Sequence, residues 1–203
     1  FVPAAPTPFN AAGDIMEDEF QSLVKWLIGQ GATAICVSGD NGESWALSAA
    51  EKGRLTRLAV GASAGAVPVI TGCSATMLKS SVEFALQAKE NGASAVLSMP
   101  QTYVLKTTRD ELLGRFEKLN AAIDMPIIAY NSPRRAGLNL SLDDIGAIMD
   151  VAPIIGIKES NRDYFHHSHL INRFADKMAI MVGPCHYIMP GIALGAQGYI
   201  ATG

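Results

Sequence analysis

The sequence predicts a (β/α)8, or TIM, barrel, and three observations carry the prediction. Short apolar, β-branched runs recur about every thirty residues, stretches of helical period lie between them, and no glycine-rich phosphate loop follows the first run.

Strands are expected near residues 2–8, 32–38, 67–72, 94–99, 126–131, 153–158, 179–183 and 198–202. Amphipathic helices are expected over Glu17–Gly29, Ala49–Ser63, Met77–Asn91, Arg109–Ala122 and Asp143–Asp150, with two more near Asp163–Ala175 and Ile188–Leu194. Ser48-Ala49-Ala50-Glu51 and Thr108-Arg109-Asp110-Glu111 both fit the capping box, in which a hydroxyl and a carboxylate satisfy the first free N–H groups of a helix. Gly31-Ala32, Gly92-Ala93 and Gly195-Ala196 each join a helix end to a strand start, a weak internal repeat of one turn. Strict alternation of this kind implies parallel strands with crossover helices. Eight strands favour a closed barrel over an open doubly wound sheet, which usually has fewer strands and often a phosphate loop where this chain has Pro6-Thr7-Pro8.

A barrel of this type takes about 250 residues, and this chain has 203, ending directly after the eighth expected strand. Residues 1–203 are therefore expected to be a single barrel domain, a fragment of a longer chain that lacks the last barrel helix. The flank left bare would make such a fragment unstable or prone to aggregate.

Hydrophobic residues make up 49% of the chain and charged residues 17%, which allows a large core without disulfide staples. A net charge of −3 and scattered basic residues give no footprint for nucleic acid or an anionic membrane. Cys36, Cys73 and Cys185 are odd in number and far apart, which favours thiols in a reducing compartment. No apolar run approaches the ~18 residues of a membrane span, and the proline-rich start has no charged region of a signal peptide. A soluble, cytoplasmic protein is expected.

In such a barrel the active site lies at the carboxyl ends of the strands. Lys158 stands near that end of the sixth strand, on the face of Ile154 and Gly156, where glycine leaves room. An ammonium group is costly to bury there, and the plain alternative is a lysine that snorkels to solvent or pairs with Glu159. Tyr130, in Ile127-Ile128-Ala129-Tyr130-Asn131-Ser132-Pro133, stands at the same height on the neighbouring strand. At a reference pKa of ~10.4 only about one lysine in a few thousand is a free amine at neutral pH. Desolvation raises that fraction and frees a nucleophile. A free amine attacks a ketone to form an imine, which stabilises a carbanion at the next carbon, and a phenol can shuttle the protons. A tyrosine in this place can equally be a core aromatic whose hydroxyl finds a partner.

Thr7-Pro8-Phe9, Gly39-Asp40-Asn41-Gly42-Glu43, Tyr130-Asn131-Ser132-Pro133 and Gly156-Ile157-Lys158-Glu159-Ser160 resemble, in order, the successive motifs of the dihydrodipicolinate synthase / N-acetylneuraminate lyase family. The resemblance implies a (β/α)8 barrel followed by further C-terminal helices, and a class I Schiff-base lyase or aldolase acting on pyruvate-like 2-oxo acids. It implies no cofactor and no metal, and a homo-oligomer, often a tetramer. Lys158 matches the Schiff-base lysine and Tyr130 the proton-shuttling tyrosine. Asp40 and Asn41 fall in the loop that holds the 2-oxo acid carboxylate, where the family commonly has Gly-Thr-Thr-Gly-Glu. Asn41 keeps a donor, whereas an ionised Asp40 has none and would repel a carboxylate. It can point away, be protonated, contact a sugar-acid hydroxyl, or simply shape the turn. Arg135 aligns with the arginine that binds the second substrate's carboxylate in the synthases, and Ile200 with a strand-8 residue whose carbonyl lies near the substrate.

The synthases also use a Thr–Tyr–Tyr proton relay. Here Asp40 replaces the threonine and Tyr103 is out of step by about one residue, so the relay is not intact. The expectation is an aldolase or dehydratase for 2-keto-3-deoxy sugar acids or similar 2-oxo acids. A dihydrodipicolinate synthase with an altered relay and a non-catalytic paralogue that binds a 2-oxo acid are the alternatives. His166-His167-Ser168-His169 lacks acidic or cysteine partners at ligand spacing and reads as a solvated helix start. Adjacent side chains such as Cys185 and His186 rarely point at each other, and Cys36 and Cys73 read as small core hydrophobes.

Overall fold

Pro3, Pro6 and Pro8 lack the N–H that a ladder needs, so the first strand is far shorter than its apolar run. β1 is only Val2–Pro3, and a single parallel bridge carries the pairing on from Ala4 to Cys36. The computed structural model describes residues 1–103 and 106–201. Val104, Leu105, Thr202 and Gly203 lie outside the described residues, and with them the end of the eighth expected strand.

The chain alternates as the sequence predicts. After β1 come α1 (Glu17–Gly29), β2 (Ile35–Val37), α2 (Ala49–Ser63), β3 (Val69–Gly72), α3 (Leu78–Glu90), β4 (Ala95–Ser98) and α4 (Arg109–Ile123). Then follow β5 (Ile127–Asn131), α5 (Pro133–Ala136), α6 (Leu142–Val151), β6 (Ile154–Glu159), α7 (Tyr164–Phe174), β7 (Ala179–Val182), α8 (Ile188–Leu194) and β8 (Gly198–Ala201). Both expected capping boxes form, at Ser48/Glu51 and Thr108/Glu111, and a third, Ser141/Asp144, opens α6. Each such cap is worth ~1 kcal/mol. The repeated Gly-Ala turn keeps its glycine at positive φ in all three copies, 90° at Gly31, 87° at Gly92 and 107° at Gly195. That conformation ends each helix cheaply only because no Cβ is present.

The eight strands pair in parallel in the order β1-β8-β7-β6-β5-β4-β3-β2. Val2 pairs with Ile200 across β1 and β8, and the Ala5 N–H donates to the Cys36 carbonyl at 2.9 Å, so the sheet closes on itself. The barrel interior is filled by Val2, Cys36, Ile70, Leu97, Ile128 and Ile200, with Tyr130 toward the top. A second layer lies between strands and helices, where Ile127, Ile157 and Val182 pack on Phe116, Ile148 and Leu170. Phe20 and Val24, one turn apart on α1, bury against Ile35 and Leu55 in the same manner.

One interruption bears on the site. Ile127 pairs with Ile154, but Ile128 pairs with Gly156, so Ile155 is an extra residue in β6 and is 50% exposed. The bulge breaks the expected face of Ile154, Gly156 and Lys158: Ile154 joins the strand–helix layer instead. Beyond the bulge the alternation holds, and it is this upper half that carries the site. Among the described residues no helix is long and apolar enough to cross a membrane.

Candidate active site

The β5–β6 ladder places Tyr130 directly opposite Lys158. Both are buried, Lys158 at 3% exposure, and the Lys158 Nζ lies 4.4 Å from the centre of the Tyr130 ring. The ring face is the one polar surface offered to the amine: among the described residues Lys158 has no carboxylate within 4.0 Å and no hydrogen-bond acceptor. Lys158 neither snorkels nor pairs with Glu159.

The Tyr130 hydroxyl points the other way, donating to Asp40 Oδ2 at 3.2 Å. Asp40 opens a 3-10 turn, Asp40–Gly42, at the exit of β2, and its carboxylate also meets Arg135 Nε at 3.5 Å. Asp40 therefore faces Tyr130 and Arg135, two donors. Thr7 steadies this turn through its hydroxyl, which donates to the Gly42 carbonyl at 2.8 Å. Just before the turn, Ser38 is buried with φ at 51°, a strained value for a non-glycine residue, and its hydroxyl is unpartnered among the described residues. Deeper in the barrel, burial pushes the Cys36 thiol up to about 11, while the charge of Lys158 pulls it down and Asp40 adds to the rise. Cys36 is thus a protonated core thiol beneath the site at neutral pH.

Asp40, Asn41 and Tyr130 line one side of a cavity of about 240 Å3. Ser132, Arg134 and Arg135 line it from the exit of β5, Ser160 and Arg162 from β6, and Gly183 to His186 from β7. Gly183 is needed for this arrangement: a Cβ there would lie 2.8 Å from the Glu159 carbonyl oxygen and 3.0 Å from Ser160 Cβ. Ile200 is fully buried on β8 in the barrel interior. Tyr103 is 87% exposed and is not among the residues that line this cavity.

Glu159 alternates to the outer face and is fully buried there. Asn131 Nδ2 donates to both its oxygens at 3.0 Å, and the Asn161 N–H donates to Oε1 at 2.6 Å. His166 Nε2 stands 3.2 Å from Oε2, an ion pair once the imidazole is protonated. The Glu159 carboxylate pushes the His166 pKa up, and burial partly opposes it. Burial lowers that of His167, whose Nε2 lies 2.7 Å from the Asn161 carbonyl oxygen. This corrects the reading of a solvated histidine run: His167 is 1% exposed, His166 is half-buried, and only His169 faces solvent. The one-turn spacing from Asp163, which caps α7, rolls His167 onto the sheet. Among the described residues no three His, Cys, Asp or Glu side chains converge on a metal position.

A second buried lysine, Lys52 on α2, lies 4.7 Å from the centre of the Phe84 ring and donates to the Ser44 carbonyl at 2.7 Å. Burial lowers its pKa to about 8. Neither this amine nor Arg162 stood out in the sequence, and His186 did so only as the neighbour of Cys185. Arg162 and His186 follow the ends of β6 and β7, and that position is the one signal that could have marked them.

Comparison with known proteins agrees with the geometry. The model of the dihydrodipicolinate synthetase family matches residues 1–203. An uncharacterised DapA-like lyase of Rhizobium meliloti is 32% identical over 200 residues, covering 98% of this chain and 66% of the relative. A 4-hydroxy-tetrahydrodipicolinate synthase of Maridesulfovibrio salexigens is 33% identical, covering 98% and 68%. The dihydrodipicolinate synthase of Acinetobacter baumannii, solved with pyruvate, superposes with a TM-score of 0.94 at 29% identity over 99% of this chain and 69% of that one. The chain thus spans about two thirds of the length of the curated relatives it matches. On the match over its whole length, this chain belongs to the dihydrodipicolinate synthetase family.

Proposed function

We propose that the protein is a Schiff-base lyase or aldolase acting on pyruvate-like 2-oxo acids, 2-keto-3-deoxy sugar acids among them. The observation that carries the reading is the juxtaposition of a buried, unpaired lysine and a tyrosine in register at the carboxyl ends of β5 and β6. The free amine of Lys158 adds to the ketone carbon, and loss of water gives an iminium ion. Cleavage of the C3–C4 bond leaves its electron pair in the enamine, while the C4 hydroxyl gives up its proton and departs as an aldehyde. Protonation of the enamine at C3 and hydrolysis then release pyruvate and regenerate the amine. Tyr130 carries the protons, and Asp40 holds its hydroxyl in place. Asn41 donates to the substrate carboxylate, and the Ile200 carbonyl on β8 lies near the substrate.

A synthase reading has one observation of its own, the name of relatives such as that of Maridesulfovibrio salexigens. Asp40 in the place of the relay threonine and the outward Tyr103 speak against it. The test is incubation of the full-length protein with pyruvate and borohydride, followed by peptide mass spectrometry. The mapping must separate Lys158 from Lys52, the other buried amine. An adduct on Lys158 is expected, and its absence across a panel of 2-oxo acids would sink the reading. A stable adduct without turnover would point to the binding paralogue instead. Coupled assays with 2-keto-3-deoxy acids and with aspartate semialdehyde then separate aldolase from synthase.

A further inference from the structure

Apart from Asp40, the charged side chains that line the cavity are the arginines Arg134, Arg135 and Arg162, with His186 beside them in the lining. Arg134 comes from α5 after β5, Arg162 from the loop after β6, and His186 from the 3-10 turn after β7, so three successive strand exits each supply a nitrogen donor. Asp40 is the one carboxylate in the lining, and Tyr130 and Arg135 already engage it, at 3.2 and 3.5 Å. Among the described residues, the side chains of Arg134 and Arg162 have no carboxylate within 4.0 Å and no hydrogen-bond acceptor. The chain as a whole carries a net charge of −3, so this concentration of positive charge is local to the cavity. Guanidinium forks match carboxylate and phosphate oxygens in shape as well as charge. Ser132 and Ser160 add hydroxyls beside them. A volume near 240 Å3 falls below the ~300–1,000 Å3 of sites for drug-sized ligands, so the occupant is small.

We infer that Arg134, Arg162 and His186 form a subsite for an anionic group, a carboxylate or a phosphate, on the end of the substrate remote from its 2-oxo acid. The inference rests on the Schiff-base reading and deepens it: the substrate carries two anionic ends, one held near Lys158 and one at this subsite. Arg135 lines the cavity beside them, with its Nε 3.5 Å from Asp40 Oδ2.

The experiment compares half-saturating concentrations for the borohydride-trapped adduct on Lys158. One arm sets 2-oxo dicarboxylates of four to six carbons against unbranched 2-oxo monocarboxylates of similar length. The other sets the phosphate ester of hydroxypyruvate against hydroxypyruvate itself. In one arm or the other, the compound with the second anionic group should saturate at a concentration at least ~10-fold lower, as a desolvated charged hydrogen bond allows. That ratio should shrink toward one in Arg134→Gln/Arg162→Gln, and in wild type at 0.5 M salt compared with 0.05 M. The arm that shows the preference identifies carboxylate or phosphate. Adducts with no preference for the second anionic group in either arm, or a preference that survives the double substitution, overturn the subsite and leave the Schiff-base reading standing. No adduct with any 2-oxo acid overturns both.

Discussion

Replacing Lys158 by methionine should make the protein more stable while abolishing adduct formation. The lysine is buried at 3% exposure and its amine meets only the Tyr130 ring, 4.4 Å from the centroid. Taking an ammonium group out of water costs several kcal/mol after relaxation, and a desolvated cation–π contact returns ~2 kcal/mol. The remainder, ~1–3 kcal/mol, is the strain that Lys158→Met relieves, because methionine fills similar volume without a charge. At ~2–4 °C per kcal/mol for a chain of this size, the midpoint should rise by ~2–12 °C. Differential scanning calorimetry of wild type and variant measures it, with exposed Lys79→Met as the control that should stay within ~0.5 kcal/mol. A variant less stable than wild type by ~1 kcal/mol or more would refute the reasoning, since the amine would then be held by interactions worth more than its desolvation.

Tyr130→Phe keeps the ring beneath Lys158 but removes the hydroxyl that meets Asp40, so turnover should fall by ~10²–10⁴ while the pyruvate adduct still forms; single-turnover kinetics within about threefold of wild type would exclude the shuttle. Gly183→Ala drives a Cβ to 2.8 Å from the Glu159 carbonyl oxygen and should cost ~1–3 kcal/mol in urea unfolding; an unchanged midpoint would show that the β6–β7 contact gives way freely. Lys52, lowered to about 8 by burial, binds fewer protons folded than unfolded between about pH 8 and 10.5. Its contribution to stability therefore rises with pH across that window. The stability gap between Lys52→Met and wild type, largest below about pH 8, should narrow toward pH 10.5, and a gap that stays flat would contradict the burial argument.

What was legible in the sequence is what short-range chemistry decides. The bounds of α1, α2 and α8 follow from periodicity, joined at α2 by a cap whose partners lie three residues apart, and the glycine turns need only their own φ. Lys158 and Tyr130 were legible as a pair because parallel neighbours end at the same height. The rest depends on contacts no local pattern encodes. Tyr130 and Asp40 are 90 residues apart, and the choice of Asp40 to face two donors depends on where α5 sets Arg135. With only four residues, α5 is too short to leave a period. The bulge at Ile155 interrupts an apolar run that reads as continuous strand. His166 and His167 look like polar surface because their burial is decided by how α7 lies on β6 and by a carboxylate seven residues away from the first of them.

Lys158 and Glu159 show why the chemistry and its support sit side by side in the chain. A strand sends successive side chains to opposite faces, so the residue after an inward lysine must point into the strand–helix layer. That layer is where a buried carboxylate can be satisfied, because Asn131 from β5, the Asn161 N–H and His166 from α7 all reach it. The inner face offers the amine no such partners, only a ring. Fixing β6 from outside therefore does two things at once. It anchors the end of the strand that holds Lys158 at the height of Tyr130, and it keeps the Glu159 carboxylate from pairing with Lys158 and holding it as an ammonium ion. Were the two residues exchanged in order, the carboxylate would take the inner position opposite Tyr130 and the lysine would be locked in the outer network, which leaves no nucleophile at the carboxyl end of β6.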